Sequence, residues 1–531
     1  MRAATLFWIL AVSMGALCTN PTRAATSLTD RSDKCTALRH VDFSKMPDAP
    51  TQLTETKQVE ASQGLPALCE VSGYVAPQVG FLLRFPSDTW NGKFLELGCG
   101  GFCGAFEPTF CDVPVRRGYA CILSDFGHRS TIIDAKWAYN NVQAKIDYGY
   151  RGAHVVALAG KAIVARYFDR WPKYSYFFGG STGGRQALME AQRFPWDFDG
   201  IIVGAPWPSD TFGAMNKLWM DRALFDSTGK ALLDAADIDL LHRAVVSKCD
   251  LDDGVKDGVI GDPQHCAFEP NELRCADRKT ASCLSEPQIA AVRKAYSSAM
   301  TSTGTTLYLP GAMKGSEKGW LDSFVNNSRF SYFYAGEEFR YCLFNPDPGP
   351  TWRPEDFDFD RDYKRLGVAQ GLYDADNPDI RRFKAAGGKL LGFVGWSDPA
   401  ASPLYFVDYY DAVEKLMGGR AATQDFFRLF VVPGMRHGLR GDGATVFDWL
   451  SYLESWVERD LAPDKVVGYR FSDELSATFT ISTLLWADIL ETPFDPKVLQ
   501  FTRPVYPYPK RAMYSGHGNP NDAATFGPIE P

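Results

Sequence analysis

Residues 176–189 read YFFGGSTGGRQALM, and the fold turns on how these glycines are used. Gly179, Gly183 and Gly184 followed by Arg185 come close to a phosphate-cradling loop, which needs the spacing G-x-x-x-x-G-K-[S/T]. Gly179, Ser181 and Gly183 also spell G-x-S-x-G, the sharp turn that lifts a serine off the end of a strand. The first reading fails on chemistry: Arg185 stands where a lysine should reach the phosphates, and Gln186 where a hydroxyl should hold magnesium. The second needs a strand before the turn and a helix after it. YSYFFGG and GGRQALMEAQRF supply that pair of patterns.

The same alternation extends on both sides. Upstream, GKFLELGCGGFCG and GYACILSDFG are apolar runs ending in glycine or aspartate, and residues 150–168 carry apolar positions at helical spacing. Downstream, GIIVGAP is a further strand. Strand, turn, helix, strand is how a parallel sheet with crossover helices is written, so the fold class is α/β. After Pro206 the alternation stops, and up to about Pro378 the chain is richer in Cys, Asp, Pro and aromatics. It resumes with KLLGFVGWSDP, the helix LYFVDYYDAVEKLM, the strand FFRLFVVPGMRHG and the helix FDWLSYLESWVERDLAP. With 531 residues the chain exceeds the roughly 250–300 that one core supports. The expected organisation is an α/β-hydrolase fold formed by residues 25–205 and 379–531, with a lid domain inserted at 206–378.

A serine hydroxyl becomes nucleophilic when a base takes its proton and a third group orients that base. The elbow therefore predicts an acid and then a histidine, each on the loop after a later strand. Asp398 closes KLLGFVGWSDP and His437 follows FFRLFVVPG. Taken singly, Asp398 before Pro399 is a turn residue and one histidine is a common structural side chain. Histidine is scarce, however: of seven, only His242, His265, His437 and His517 follow Ser181, and only His437 ends an apolar strand. The Thr182 amide, next to the serine, is one expected oxyanion donor. Gly100 or Gly101, in the turn LELGCGGFCG, is the other.

The formal net charge is −8 and no basic tract occurs, which argues against a nucleic-acid partner. Residues 1–24 have a positive start, a short apolar run and small residues near Ala24, the layout of a signal peptide for a secreted or periplasmic protein. Later apolar runs are too short to span a membrane. Export makes paired cysteines the expectation. Cys249/Cys266 and Cys275/Cys283 bracket short loops, and Cys35/Cys69 is a third expected pair; Cys99, Cys103, Cys111, Cys121 and Cys342 stay open. Between Cys249 and Cys266, CDLDDGVKDGVIGDPQHC crowds Asp250, Asp253 and Asp257 into eight residues. The EF-hand spacing is not met, yet hard oxygen ligands around calcium would relieve the repulsion.

These motifs resemble the tannase and feruloyl esterase family of α/β-hydrolases. The resemblance rests on WNGKFLELGCGGFCG, SYFFGGSTGGRQALMEAQRFPWDFDGIIVGAP, the Cys249 loop, GWSDP, VPGMRHG and RPVYPYPKRAMYSGHGNPNDAATF. It implies a lid over the site and a structural Ca2+ in that lid, held by Asp250, Asp253 and Asp257 and the carbonyls of Val255 and Val259. It implies Ser181, Asp398 and His437 as the triad. It also implies a bridge between cysteines beside the serine and the histidine, where this chain has Gly180 and Gly438. A second bridge would lie where Tyr506 and Pro528 stand. Without the first, a more mobile site is expected. The expectation is a secreted serine esterase acting on small aromatic esters of feruloyl, galloyl or terephthaloyl type through an acyl-enzyme on Ser181. An inactive calcium-stabilised binding protein on the same scaffold and an acyltransferase are the alternatives.

Overall fold

The computed structural model describes residues 28–62, 64–308, 311–325 and 329–530. The expected signal segment, residues 1–24, lies outside the described residues. Nine strands form one sheet: β1 (Thr51–Val59), β2 (Leu68–Val75), β3 (Val79–Pro86), β4 (Lys93–Leu97), β5 (Ala120–Ser124), β6 (Tyr174–Gly180), β7 (Gly200–Gly204), β8 (Lys389–Gly395) and β9 (Phe427–Val432). Their order is β1-β2-β3-β5-β4-β6-β7-β8-β9. From β5 to β9 all neighbours are parallel, as expected. The sheet is nevertheless mixed, because β1, β2 and β3 pair antiparallel and β3 joins β5 antiparallel.

The central strands are apolar throughout because both faces are covered. Successive side chains point to opposite faces. Phe177, Ile201 and Val203 accordingly pack with Val156, Ile163 and Leu188. Tyr176, Phe178 and Ile202 pack on the other side with Trp449, Leu450 and Leu453. These partners come from the helices Gly152–Phe168, Thr182–Arg193 and Trp449–Arg459. The first begins two residues later than the apolar pattern suggests, since residues 147–151 form a π-turn. Among the described residues there are five cystine bridges: Cys35–Cys69, Cys99–Cys103, Cys111–Cys121, Cys249–Cys266 and Cys275–Cys283. Cys342 is free and buried, and its burial pushes the thiol well above its usual range, so it is held as a neutral apolar group.

The chain leaves the sheet after Gly204 and returns at Lys389. The intervening residues include the helices Asp210–Leu224, Ala235–Cys249, Glu286–Tyr296 and Phe330–Glu338. They enclose a core of their own, in which Met220, Leu241, Ile289, Val292 and Trp320 are buried together. Trp320 and Phe339 are fully buried and Trp352 packs against Phe339. These three aromatics serve the packing of the insert. No helix among the described residues is long and apolar enough to cross a membrane.

Candidate active site

The parallel strands β4, β6, β8 and β9 all end at one edge of the sheet, where open α/β sheets place their ligands. The turn after β6 carries Ser181. Its backbone is at φ 59°, ψ −121°, which costs on the order of 1–3 kcal/mol for a residue with a side chain. The motif glycines make that turn possible. A Cβ on Gly179 would lie 2.0 Å from the Gly183 carbonyl oxygen, and one on Gly98 would lie 2.7 Å from Gly183 Cα. Any side chain at these points would push the elbow away from the turn after β4.

Asp398 follows β8 and His437 follows β9. His437 Nδ1 lies 2.8 Å from Asp398 Oδ2, and His437 Nε2 lies 3.1 Å from Ser181 Oγ. Asp398 is fully buried, and its other oxygen accepts the Ala400 and Ala401 N–H groups, both at 2.9 Å. A carboxylate oxygen so enclosed accepts from Nδ1–H. That tautomer leaves Nε2 free to take the serine proton. Burial and the Lys217 charge lower the His437 pKa, but the charge and hydrogen bond of Asp398 outweigh them, and the net shift is upward from the ordinary imidazole value.

The turn after β4 meets the elbow directly. Gly183 N–H donates to the Cys99 carbonyl (2.7 Å), Ser181 N–H to Gly204 (2.9 Å) and the Thr182 hydroxyl to Gly101 (2.8 Å). Ser181 and Gly183 thus spend their amides, which leaves the Thr182 amide, at the start of its helix, pointing from the elbow. Gly101 has φ 55°, and a Cβ there would lie 2.2 Å from the Ile132 carbonyl oxygen. Gly100 sits at the exposed apex, where a Cβ would meet nothing within 4 Å. Arg185, the residue that suggested a phosphate loop, points inward. It is fully buried, donates to the Gly149 carbonyl at 2.9 Å and lies over the Tyr148 ring.

Several contacts here were beyond sequence reasoning. Lys217, from the insert, is buried beside Glu338 at 3.2 Å and lies 4.1 Å over the Trp207 ring and 5.0 Å over Tyr334. Burial pushes Glu338 up to about 8 despite that neighbour. Residues 318–322 of the insert lie against the loops that carry Asp398 and His437. Arg436 pairs with Asp322 at 3.0 Å, Lys318 with Asp442 at 3.5 Å, and a Cβ on Gly319 would meet Pro399 at 2.9 Å. Arg440 and Arg470 donate to the Phe479 and Gly441 carbonyls at 2.8 and 2.6 Å. The His437 loop is held by these contacts, while Gly180 and Gly438 leave open space beside the serine and histidine. Gly438 is at φ 77°, so a cysteine there would be strained as well as unopposed. Tyr506, at another position where the resemblance implies a cystine, donates its hydroxyl to the Phe526 carbonyl at 3.2 Å.

The Asp250–Val259 loop folds around its own acids. Asp250 Oδ1 accepts from the N–H groups of Asp257, Gly258 and Val259 at 3.2, 2.9 and 3.1 Å. Asp253 accepts from Val255 N–H at 3.0 Å, and Asp257 pairs with Arg503 at 2.6 Å. Burial pushes Asp253 up to about 6 and raises Asp250 too, with Asp257 adding to both. Asp253 and Asp257 border a cavity of about 370 Å³, whose lining also includes Arg503 and Arg511 but neither Ser181 nor His437. The carboxylates suit a hard cation chemically. In this arrangement Asp250 and Asp253 each commit one oxygen to N–H groups and Asp257 pairs with Arg503, and no three His, Cys, Asp or Glu side chains among the described residues converge as a metal site.

A serine on a strained strand-to-helix turn, with acid and histidine on later loops of the same sheet edge, is the arrangement of α/β-hydrolases. The sequence profile of tannase and feruloyl esterase matches residues 63–338 and 349–529. The chain belongs to that family and is a carboxylic ester hydrolase. It is 32% identical to the mono(2-hydroxyethyl) terephthalate hydrolase of Piscinibacter sakaiensis, over 89% of this chain and 86% of that protein. It is 30% identical to an uncharacterised esterase of Xanthomonas campestris, over 92% and 89% of the two chains. In fold it matches feruloyl esterase B from Aspergillus oryzae with a TM-score of 0.78 at 23% identity, covering 94% of this chain and 100% of that one.

The direction of the His437 shift sets a pH dependence. A general base works in its neutral form, so kcat/KM should fall as pH drops through a midpoint above 6.5. Asp398→Asn removes the group that raises it. The midpoint should then move down, and kcat should fall about 10⁴-fold. A wild-type midpoint below 6.5, or an unmoved one in the variant, would contradict this electrostatic account.

Proposed function

We propose that the chain is an exported serine esterase that hydrolyses esters of aromatic carboxylic acids through an acyl-enzyme on Ser181. The observation that carries this reading is the continuous chain of hydrogen bonds from Asp398 through His437 to Ser181. Ser181 Oγ attacks the ester carbonyl carbon while its proton passes to His437 Nε2. The carbonyl oxygen takes the negative charge and is met by the Thr182 amide and an amide of Gly100 or Gly101. The carbon–oxygen bond to the alcohol then breaks, and the imidazolium returns its proton to the departing oxygen. Water, deprotonated by the same nitrogen, releases the acid and restores Ser181.

An aromatic acyl group is supported by the relative named for a terephthalate ester. Five cystine bridges support passage through an oxidising compartment. Calcium, where bound, would be held by Asp250, Asp253 and Asp257 with the Val255 and Val259 carbonyls. Its charge would offset the crowding of these carboxylates and stabilise the loop.

Ser181→Ala should lower turnover of a feruloyl or terephthaloyl ester at least about 10³-fold, with unchanged circular dichroism. Activity within tenfold of wild type would remove Ser181 from the chemistry. For the metal, the chelator-treated protein should gain thermal stability on adding CaCl2, by about 2.7 kcal/mol at one hundred times Kd. Asp253→Asn should abolish that gain. A wild-type Tm indifferent to calcium would refute binding at this loop.

A further inference from the structure

The residue that joins the insert to the oxyanion turn is Tyr334, on the helix Phe330–Glu338. Its ring lies flat on Phe102, with centroids 4.2 Å apart and planes within 3°. Phe102 directly follows Gly101, and its N–H donates to Ile132 at 2.9 Å while its carbonyl meets His128 Nε2 at 2.7 Å. The Thr182 hydroxyl donates to the Gly101 carbonyl at 2.8 Å, so the same turn is tied to the residue after Ser181. One side chain of the insert therefore bears on the turn after β4 through the stack and, through that turn's bond to Thr182, on the elbow.

Tyr334 is itself held from behind. Lys217 lies 5.0 Å over its ring and pairs with Glu338, one helical turn further along the same helix. Trp207 flanks the Lys217 ammonium at 4.1 Å. Burial raises the Tyr334 pKa well above its ordinary value, so the ring carries a neutral phenol.

We propose that Tyr334 is a positioning residue for ester hydrolysis, through which the insert sets the spacing between the Thr182 amide and the Gly100–Gly101 turn. The inference rests on the serine-esterase reading above. The Tyr334 ring steadies the glycine turn through Phe102, and the Thr182 hydroxyl ties that turn to the elbow. The oxyanion donors are then correctly spaced only when the insert is seated on the sheet edge. Its role concerns the transition state, because the spacing matters most when charge develops on the carbonyl oxygen.

The test compares wild type, Tyr334→Phe, Tyr334→Ala and Thr182→Val. For each, kcat and KM are measured on a chromogenic aryl ester, with the rate of fluorophosphonate labelling at Ser181. Affinities for an aryl boronic acid and for the corresponding carboxylic acid complete the set. A misplaced donor costs up to about 100-fold, so Tyr334→Ala should lower kcat and the labelling rate by about tenfold to 100-fold. KM and carboxylic-acid affinity should stay within about twofold, while boronate affinity should fall in parallel with kcat. Tyr334→Phe, which keeps the stack and needs no refolding of the core, should stay within about twofold of wild type. Combining Tyr334→Ala with Thr182→Val should cost less than the two single losses together, since both act on one turn. A rise in KM at constant kcat, equal loss of boronate and acid affinity, a Tyr334→Phe loss equal to that of Tyr334→Ala, or additive effects of Tyr334→Ala and Thr182→Val would overturn the proposal. Failure of the wild type to label at Ser181 would instead overturn the serine-esterase reading.

Discussion

The backbone of Ser181, held at φ 59° and ψ −121°, is the constraint on which the site depends. A serine adopts that conformation only when its surroundings leave no relaxed alternative. Here they do so by close approach. Gly179 and Gly183 touch backbone to backbone, Gly98 presses on Gly183, and the Gly183 N–H is tied to Cys99. The same contacts draw the turn after β4 against the elbow. The strained serine and the expected oxyanion turn are thus consequences of one packing event.

The framework that aims the histidine is of another kind. Asp398 is buried and saturated with three donors, which fixes its position and, through it, the imidazole. The His437 loop is held by charge pairs and backbone acceptors, several reaching residues of the insert. Such exposed pairs contribute about 0–1 kcal/mol each, so the loop depends on their number and on the packing of Gly319 against Pro399. The insert therefore acts on the site from two sides, at the histidine loop and, through Tyr334, at the oxyanion turn.

Much of this was legible in the sequence because it is local. The run YSYFFGG, the glycines after it and the helix beyond decide the elbow within twenty residues, and the fold then dictates where an acid and a histidine can follow. The strands β1 to β3 were not read, because their pairing is antiparallel and the stretch carries no crossover helix to mark it. Tyr334 and Lys217 lie in helices whose patterns resemble ordinary packing surfaces. Only the return of the insert brings Tyr334 to Phe102, more than two hundred residues earlier. The bridges Cys99–Cys103 and Cys111–Cys121 were left open because spacing alone admits several pairings.

The central claim is that Ser181, strained on its turn and relayed through His437 to Asp398, carries the acyl group. Rapid-quench mass spectrometry of the protein mixed with a slowly deacylated aromatic ester tests it most directly. The account predicts a transient mass increase equal to the acyl group, mapped to the peptide containing Ser181, rising before the free acid accumulates. Acid release at full rate with no adduct, or an adduct on another residue, would contradict it.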